Sequence, residues 1–271
     1  MKILFQKYPN ASRFVLAVVL FVFALFISLI LNKGVVKQYF PYTAPLLLIV
    51  ATWVIYKTEK QSLGAIGLNY NLKNLSYLPL GIIIGAFAFF GARYIRALYV
   101  GETFEVSSSI RYSTILLAFY YILPQVATEE LIFRGYLFKK TIEVSNVITA
   151  NVIFSILFML IHVLDENVLS NKGMILMLVV SIPVGHLLFA TALLKSKTLF
   201  FPIGLHLGNN WATRHLISSS NSGDSIFYIP DVVTFETWMP FIIMLIVFNG
   251  FFLLITFVIW KWENIIAILK C

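Results

Sequence analysis

Three groups of polar residues stand in a sequence otherwise nearly bare of charge: Glu129, Glu130 and Arg134; Phe158 and His162; His206 and Asn210. Their spacing has mechanical content. Glu130 and Arg134 are four apart, so on a helix they share a face and can pair. Glu129 lies about 100° round the helix from Glu130, so one carboxylate can be structural while the other faces a cavity. His206 and Asn210 also share a face, which sets an imidazole beside an amide. Phe158 sits one turn before His162 and can wall one side of its ring. A carboxylate with two imidazoles and an amide suits hydrolysis of an amide bond. The carboxylate takes a proton from water, and the neighbouring groups stabilise the oxyanion that forms. Glu129, His162 and His206 could equally hold a zinc ion, with water as the fourth ligand. The helical zinc motif H-E-x-x-H is absent, so spacing leaves the cofactor open between a divalent metal such as zinc and none.

Taken singly, each group has a plain structural reading: a buried ion pair, a histidine at the interface, an amide and imidazole hydrogen-bonding between helices. Together, in a chain with so little charge, they point to a site. Other polar residues are expected to do less. His186 reads as a packed or hydrogen-bonded histidine, Arg214 and His215 as interfacial, and Arg93 and Arg96 as snorkelling side chains.

The elements that must position these groups are set by composition. Of 271 residues 60% are hydrophobic and 12% charged, with a mean hydropathy of +0.90; a soluble domain carries about 25% charged residues. Charge this sparse cannot cover a water-facing surface, so lipid is the solvent. The expected fold is all-α: a polytopic membrane protein, one integral membrane domain over 1–271, a bundle of about eight transmembrane helices around a polar chamber within the bilayer. Apolar runs place the spans near 13–31, 39–56, 77–98, 113–138, 146–164, 174–194, 199–217 and 238–260. Pro41 and Pro45 interrupt the start of the second, and Pro124 is positioned to break the fourth. Gly81 and Gly85 form a small-residue pair suited to close helix packing. The stretch 218–236 reads as a loop. The run after Lys2, Lys7 and Arg13 is too long for a signal peptide and lacks a small-x-small cleavage site, so it reads as a retained first helix.

The net charge of +8 lies singly or in pairs between apolar blocks, which excludes a nucleic-acid stripe. It follows the positive-inside pattern. With both termini cytoplasmic, most Lys and Arg, from Lys2 to Lys270, fall on inner segments. Glu102, Glu105, Asp165, Glu166, Asp224, Asp231 and Glu236 fall outside. The single cysteine, Cys271, excludes an intrachain disulfide and a cysteine zinc site.

The order Glu-Glu-x-x-x-Arg, Phe-x-x-x-His, His-x-x-x-Asn resembles the CPBP family, the CAAX-processing and bacteriocin-processing intramembrane proteases also called Abi. Ile203-Gly204-Leu205-His206 and Gly185 fit the resemblance, and Leu63-Gly64-Ala65-Ile66-Gly67-Leu68 fits it weakly. It covers a core near 113–217. It implies Glu129 as the base that activates water with His162 assisting, His206 and Asn210 at the oxyanion, and Glu130 with Arg134 as a supporting pair. Family names usually say metalloprotease.

The reading that follows is an intramembrane endopeptidase in a cell membrane, acting on membrane-tethered or short hydrophobic peptides. Leader-peptide or pheromone maturation and bacteriocin self-immunity are the expected settings. Its partners are a peptide or protein substrate and the lipid bilayer, with no nucleic acid. The competing readings are a non-catalytic scaffold for a membrane partner such as a sensor kinase, and a proton-coupled transporter. A scaffold has no need of Glu129, and the paired halves of a transporter are not visible. His162 comes out nearer the outer side than His206 when residues are counted along the spans, which needs a structural explanation.

Overall fold

A computed structural model describes residues 6–269, with side chains as far as Glu263. Lys2, Lys270 and Cys271 lie outside the described residues. The long helices are α1 (Pro9–Leu31), α3 (Thr43–Thr58), α4 (Leu72–Val100), α5 (Tyr112–Phe133), α7 (Val147–Val163), α9 (Lys172–Ser196), α10 (Phe200–Trp211) and α11 (Trp238–Leu269). Shorter helices are α2 (Gly34–Tyr39), α6 (Tyr136–Val144) and α8 (Glu166–Leu169). The long helices fall on the expected spans, and the protein is an all-α polytopic membrane protein. Five helical stretches are long and apolar enough to cross a membrane; α3 and α7 are shorter apolar helices. Large side chains such as Val22, Ile148 and Ile246 stand outward and exposed, as lipid-facing residues do.

Two features differ from expectation. The fourth span is continuous through Pro124 and breaks instead after Arg134, between α5 and α6. Pro124 has no N–H, so the carbonyl of Tyr120 loses its partner four residues on. The Tyr42 hydroxyl donates to that carbonyl at 2.9 Å and replaces the lost bond. At Gly135 an added Cβ would lie 2.1 Å from the Leu131 carbonyl oxygen, so only glycine fits the bend. The second difference is in 218–236, where a small sheet stands in place of a plain loop. Strand β3 (Phe227–Tyr228) pairs antiparallel with β1 (Glu105–Val106) and parallel with β2 (Ile217–Ser218). Strands of two residues leave no readable alternation in the sequence.

The core is α10, in which every residue from Phe201 to Gly208 is buried. It packs on α4 backbone to backbone. A Cβ at Gly85 would lie 2.0 Å from the Leu205 carbonyl oxygen, and one at Gly208 would lie 2.1 Å from that of Ile82. Gly204 meets the Leu78 carbonyl and Gly81 the Leu205 nitrogen in the same crossing. Four glycines therefore fix the height and rotation of the helix that carries His206. After Trp211 the span ends in a π-helical turn, Ala212–Leu216. A 3₁₀ turn, Leu63–Ile66, is capped by Gly67 at φ 80°, and Lys139 donates to the Ala65 carbonyl at 2.6 Å. That is what the Leu63-to-Leu68 segment does: it braces α6 and the start of α10, with the Thr198 hydroxyl donating to the Gly67 carbonyl.

Candidate active site

Each motif residue enters from a different helix. Glu129 sits one turn before the end of α5, near the bend. His206 sits midway along α10, and His162 lies at the far end of α7. A cavity of about 730 Å³ runs between them and is lined by Glu129, Phe158, His162, His206 and Asn210, with Gln125 and Asn209. His162 and His206 both face this space. Phe158 bridges the two, with its ring centroid 4.7 Å from His162 and 6.2 Å from His206.

Glu129 and Glu130 do separate as their helical angle requires. Glu130 has a fully buried side chain, paired with Arg134 at 3.1 Å, and it also accepts from His206 Nδ1 at 2.8 Å. Arg134 is itself fully buried, and its guanidinium carbon lies 4.3 Å from the Phe158 ring centroid and 5.2 Å from that of Phe189. Those rings supply the attraction that further oxygens would otherwise provide. Glu129 keeps 14% side-chain exposure, and its Oε2 lies 3.6 Å from His206 Nε2. That separation is too long for a direct hydrogen bond and suits a shared water.

The tautomers follow from the partners. Glu130 faces Arg134 and accepts, so His206 donates through Nδ1, and its Nε2 points toward Glu129. His162 donates Nδ1–H to the Phe158 carbonyl at 2.7 Å, which leaves its Nε2 free in the same way. The chemistry of Glu129, His162 and His206 would suit a metal. Their placement does not gather them: among the described residues no three His, Cys, Asp or Glu side chains form a group that could hold a metal ion.

Residues 111–212 match a family model described as type II CAAX prenyl endopeptidase Rce1-like. That segment of the chain is similar to the Rce1-like family. This agrees with the CPBP resemblance and with an intramembrane protease kind of function, and all seven motif residues lie inside the Rce1-like segment. No curated protein and no solved structure matches the chain.

Beside these residues the cavity shows others that sequence reasoning passed over. Gln125 Nε2 donates to Glu129 Oε1 at 3.0 Å; the four-residue spacing was available as a signal, but glutamine carries no charge to draw notice. Phe189 stacks on His206 at 4.7 Å and 17°, a contact between helices that no local pattern marks. One expectation changes. Arg93 and Arg96 are expected to snorkel; instead Glu102 pairs with both, and they line the cavity with Arg214. His215 hydrogen-bonds the Asp224 carbonyl at 2.8 Å. His186 is packed as expected, but neither ring nitrogen has a hydrogen-bond partner.

Proposed function

We propose that the protein is an intramembrane endopeptidase that hydrolyses peptide bonds of membrane-tethered or short hydrophobic substrates, with 113–217 as its catalytic core. The observation that carries this reading is a single carboxylate, Glu129, facing an apolar-walled cavity beside His206. In the proposed chemistry Glu129 Oε2 takes a proton from a water held between it and His206 Nε2. The hydroxide attacks the substrate carbonyl carbon. Gln125 occupies Oε1, so one oxygen is bonded and the other is the base. Asn210, with the neighbouring Asn209, donates amide N–H to the developing oxyanion, and His206 does so with the proton that Glu129 takes from water and passes to its Nε2. The amine leaves with that same proton, returned through Glu129, and His162 assists from the far side of Phe158. Glu130 and Arg134 hold His206 and the end of α5.

The substrates that fit this reading are leader peptides, pheromone precursors or bacteriocin-like peptides. The proposed orientation puts both termini in the cytoplasm and the small sheet outside, following the distribution of Lys and Arg. The test is to incubate detergent-purified protein with a set of hydrophobic peptides in heavy-oxygen water and to read products by mass. The reading expects internal cleavage with one heavy oxygen in each new carboxylate. Intact peptides, or products lacking the label, would refute hydrolysis.

A further inference from the structure

Arg93, Arg96 and Arg214 line the same cavity as Glu129. We propose that they form an anion subsite for the carboxylate of a peptide whose scissile bond lies at Glu129. This rests on the peptidase reading and names what the substrate presents.

The charge there is unbalanced. Glu102 pairs with Arg93 at 3.2 Å and with Arg96, and its side chain has no exposure, whereas Arg93 and Arg96 keep 19% and 15%. Two cations therefore share one anion. Arg96 is largely committed: it donates to the Val233 carbonyl at 2.7 Å, while Glu102 accepts the Val233 N–H at 3.0 Å, so this pair ties down the loop before α11. Arg93 keeps spare donors. Arg214 is exposed and has no ion pair among the described residues. Among the described residues Glu129 is the one acid in the cavity wall. Guanidinium forks bind carboxylates through paired hydrogen bonds. Apolar walls such as Phe89, Phe241 and Phe248 lower the local dielectric and strengthen that attraction.

The separation sets a length. Gly85 is level with the turn of α10 around His206, since its Cβ would touch Leu205 O and Asn209 N. Arg93 lies eight residues beyond Gly85 and Arg214 eight beyond His206, which is about 12 Å along each helix. An extended peptide covers that in about four residues. The three arginines all lie outside the segment 111–212 that matches the family model.

The experiment measures binding, so it can fail without the peptidase reading failing. A short apolar peptide, labelled at its amino end and ending in a free carboxylate or a carboxamide, is titrated into purified Glu129→Gln protein, which prevents turnover. The acid should bind about 10-fold more tightly than the amide. Adding Arg93→Gln should remove most of that preference and leave amide binding unchanged. Should Arg93→Gln lower the melting temperature, Arg214→Gln decides alone, because its exposed side chain makes no hydrogen bond or ion pair among the described residues. Equal binding of acid and amide, or a preference that survives both substitutions, would overturn the subsite.

Discussion

Glu130 has no side-chain exposure and is held by Arg134 and His206, whereas Glu129 keeps 14% and is held on one oxygen by Gln125. Removing either member of a buried pair leaves an uncompensated charge. Arg134→Ala is therefore expected to destabilise the protein by about 3–5 kcal/mol, read as less folded protein in the membrane and a lower melting temperature. Wild-type levels would contradict that assignment. Gln125→Ala removes a single neutral donor to a carboxylate, so kcat should fall by up to about 10-fold while the fold is kept; an unchanged kcat would remove Gln125 from the account. Because Glu129, His162 and His206 are not gathered as ligands, a chelator should leave activity intact, and loss that zinc reverses would restore the metal reading. At this scale the sequence was legible wherever partners are four apart on one helix, as Glu130 with Arg134 and Phe158 with His162. The bond from His206 to Glu130 joins residues 76 apart, and nothing local encodes it.

The helices hold these side chains because two of them touch through glycine. Gly81 and Gly85 on one helix, and Gly204 and Gly208 on the other, lie against the facing backbone with no room for a methyl group, and the contact sets where His206 stands. Gly208→Leu must push α10 away from α4. We expect a loss of about 1–3 kcal/mol, with cleavage falling more than stability alone would cause, since His206 moves with its helix. A variant that keeps full activity and melting temperature would contradict the crossing. The pair on α4 was visible in the sequence as a small-residue pattern, but its partner helix was not. Similarly, Pro124 was legible as a helix breaker only in isolation. The Tyr42 hydroxyl that rescues the Tyr120 carbonyl comes from a span 78 residues away. The bend fell at Gly135 because the Leu131 carbonyl excludes any side chain there.

Across the whole molecule, hydropathy alone placed the spans, since each apolar run needs a lipid-facing or buried helix. It could not show the cavity that His162 and His206 both line, or the small sheet. The proposed orientation is open to direct measurement in a Cys271→Ser background. Cysteine at Ser219 should react with an impermeant thiol reagent on intact cells, and cysteine at Gln61 only after lysis; the reverse pattern would invert the topology. The central claim is that Glu129 is the base. Glu129→Gln keeps the side chain's size and most of its hydrogen bonds and removes only the proton acceptor. Cleavage of a peptide that the wild type hydrolyses should fall by about 10²–10⁴, with yield and melting temperature unchanged. Cleavage at the wild-type rate by folded Glu129→Gln protein would contradict the account.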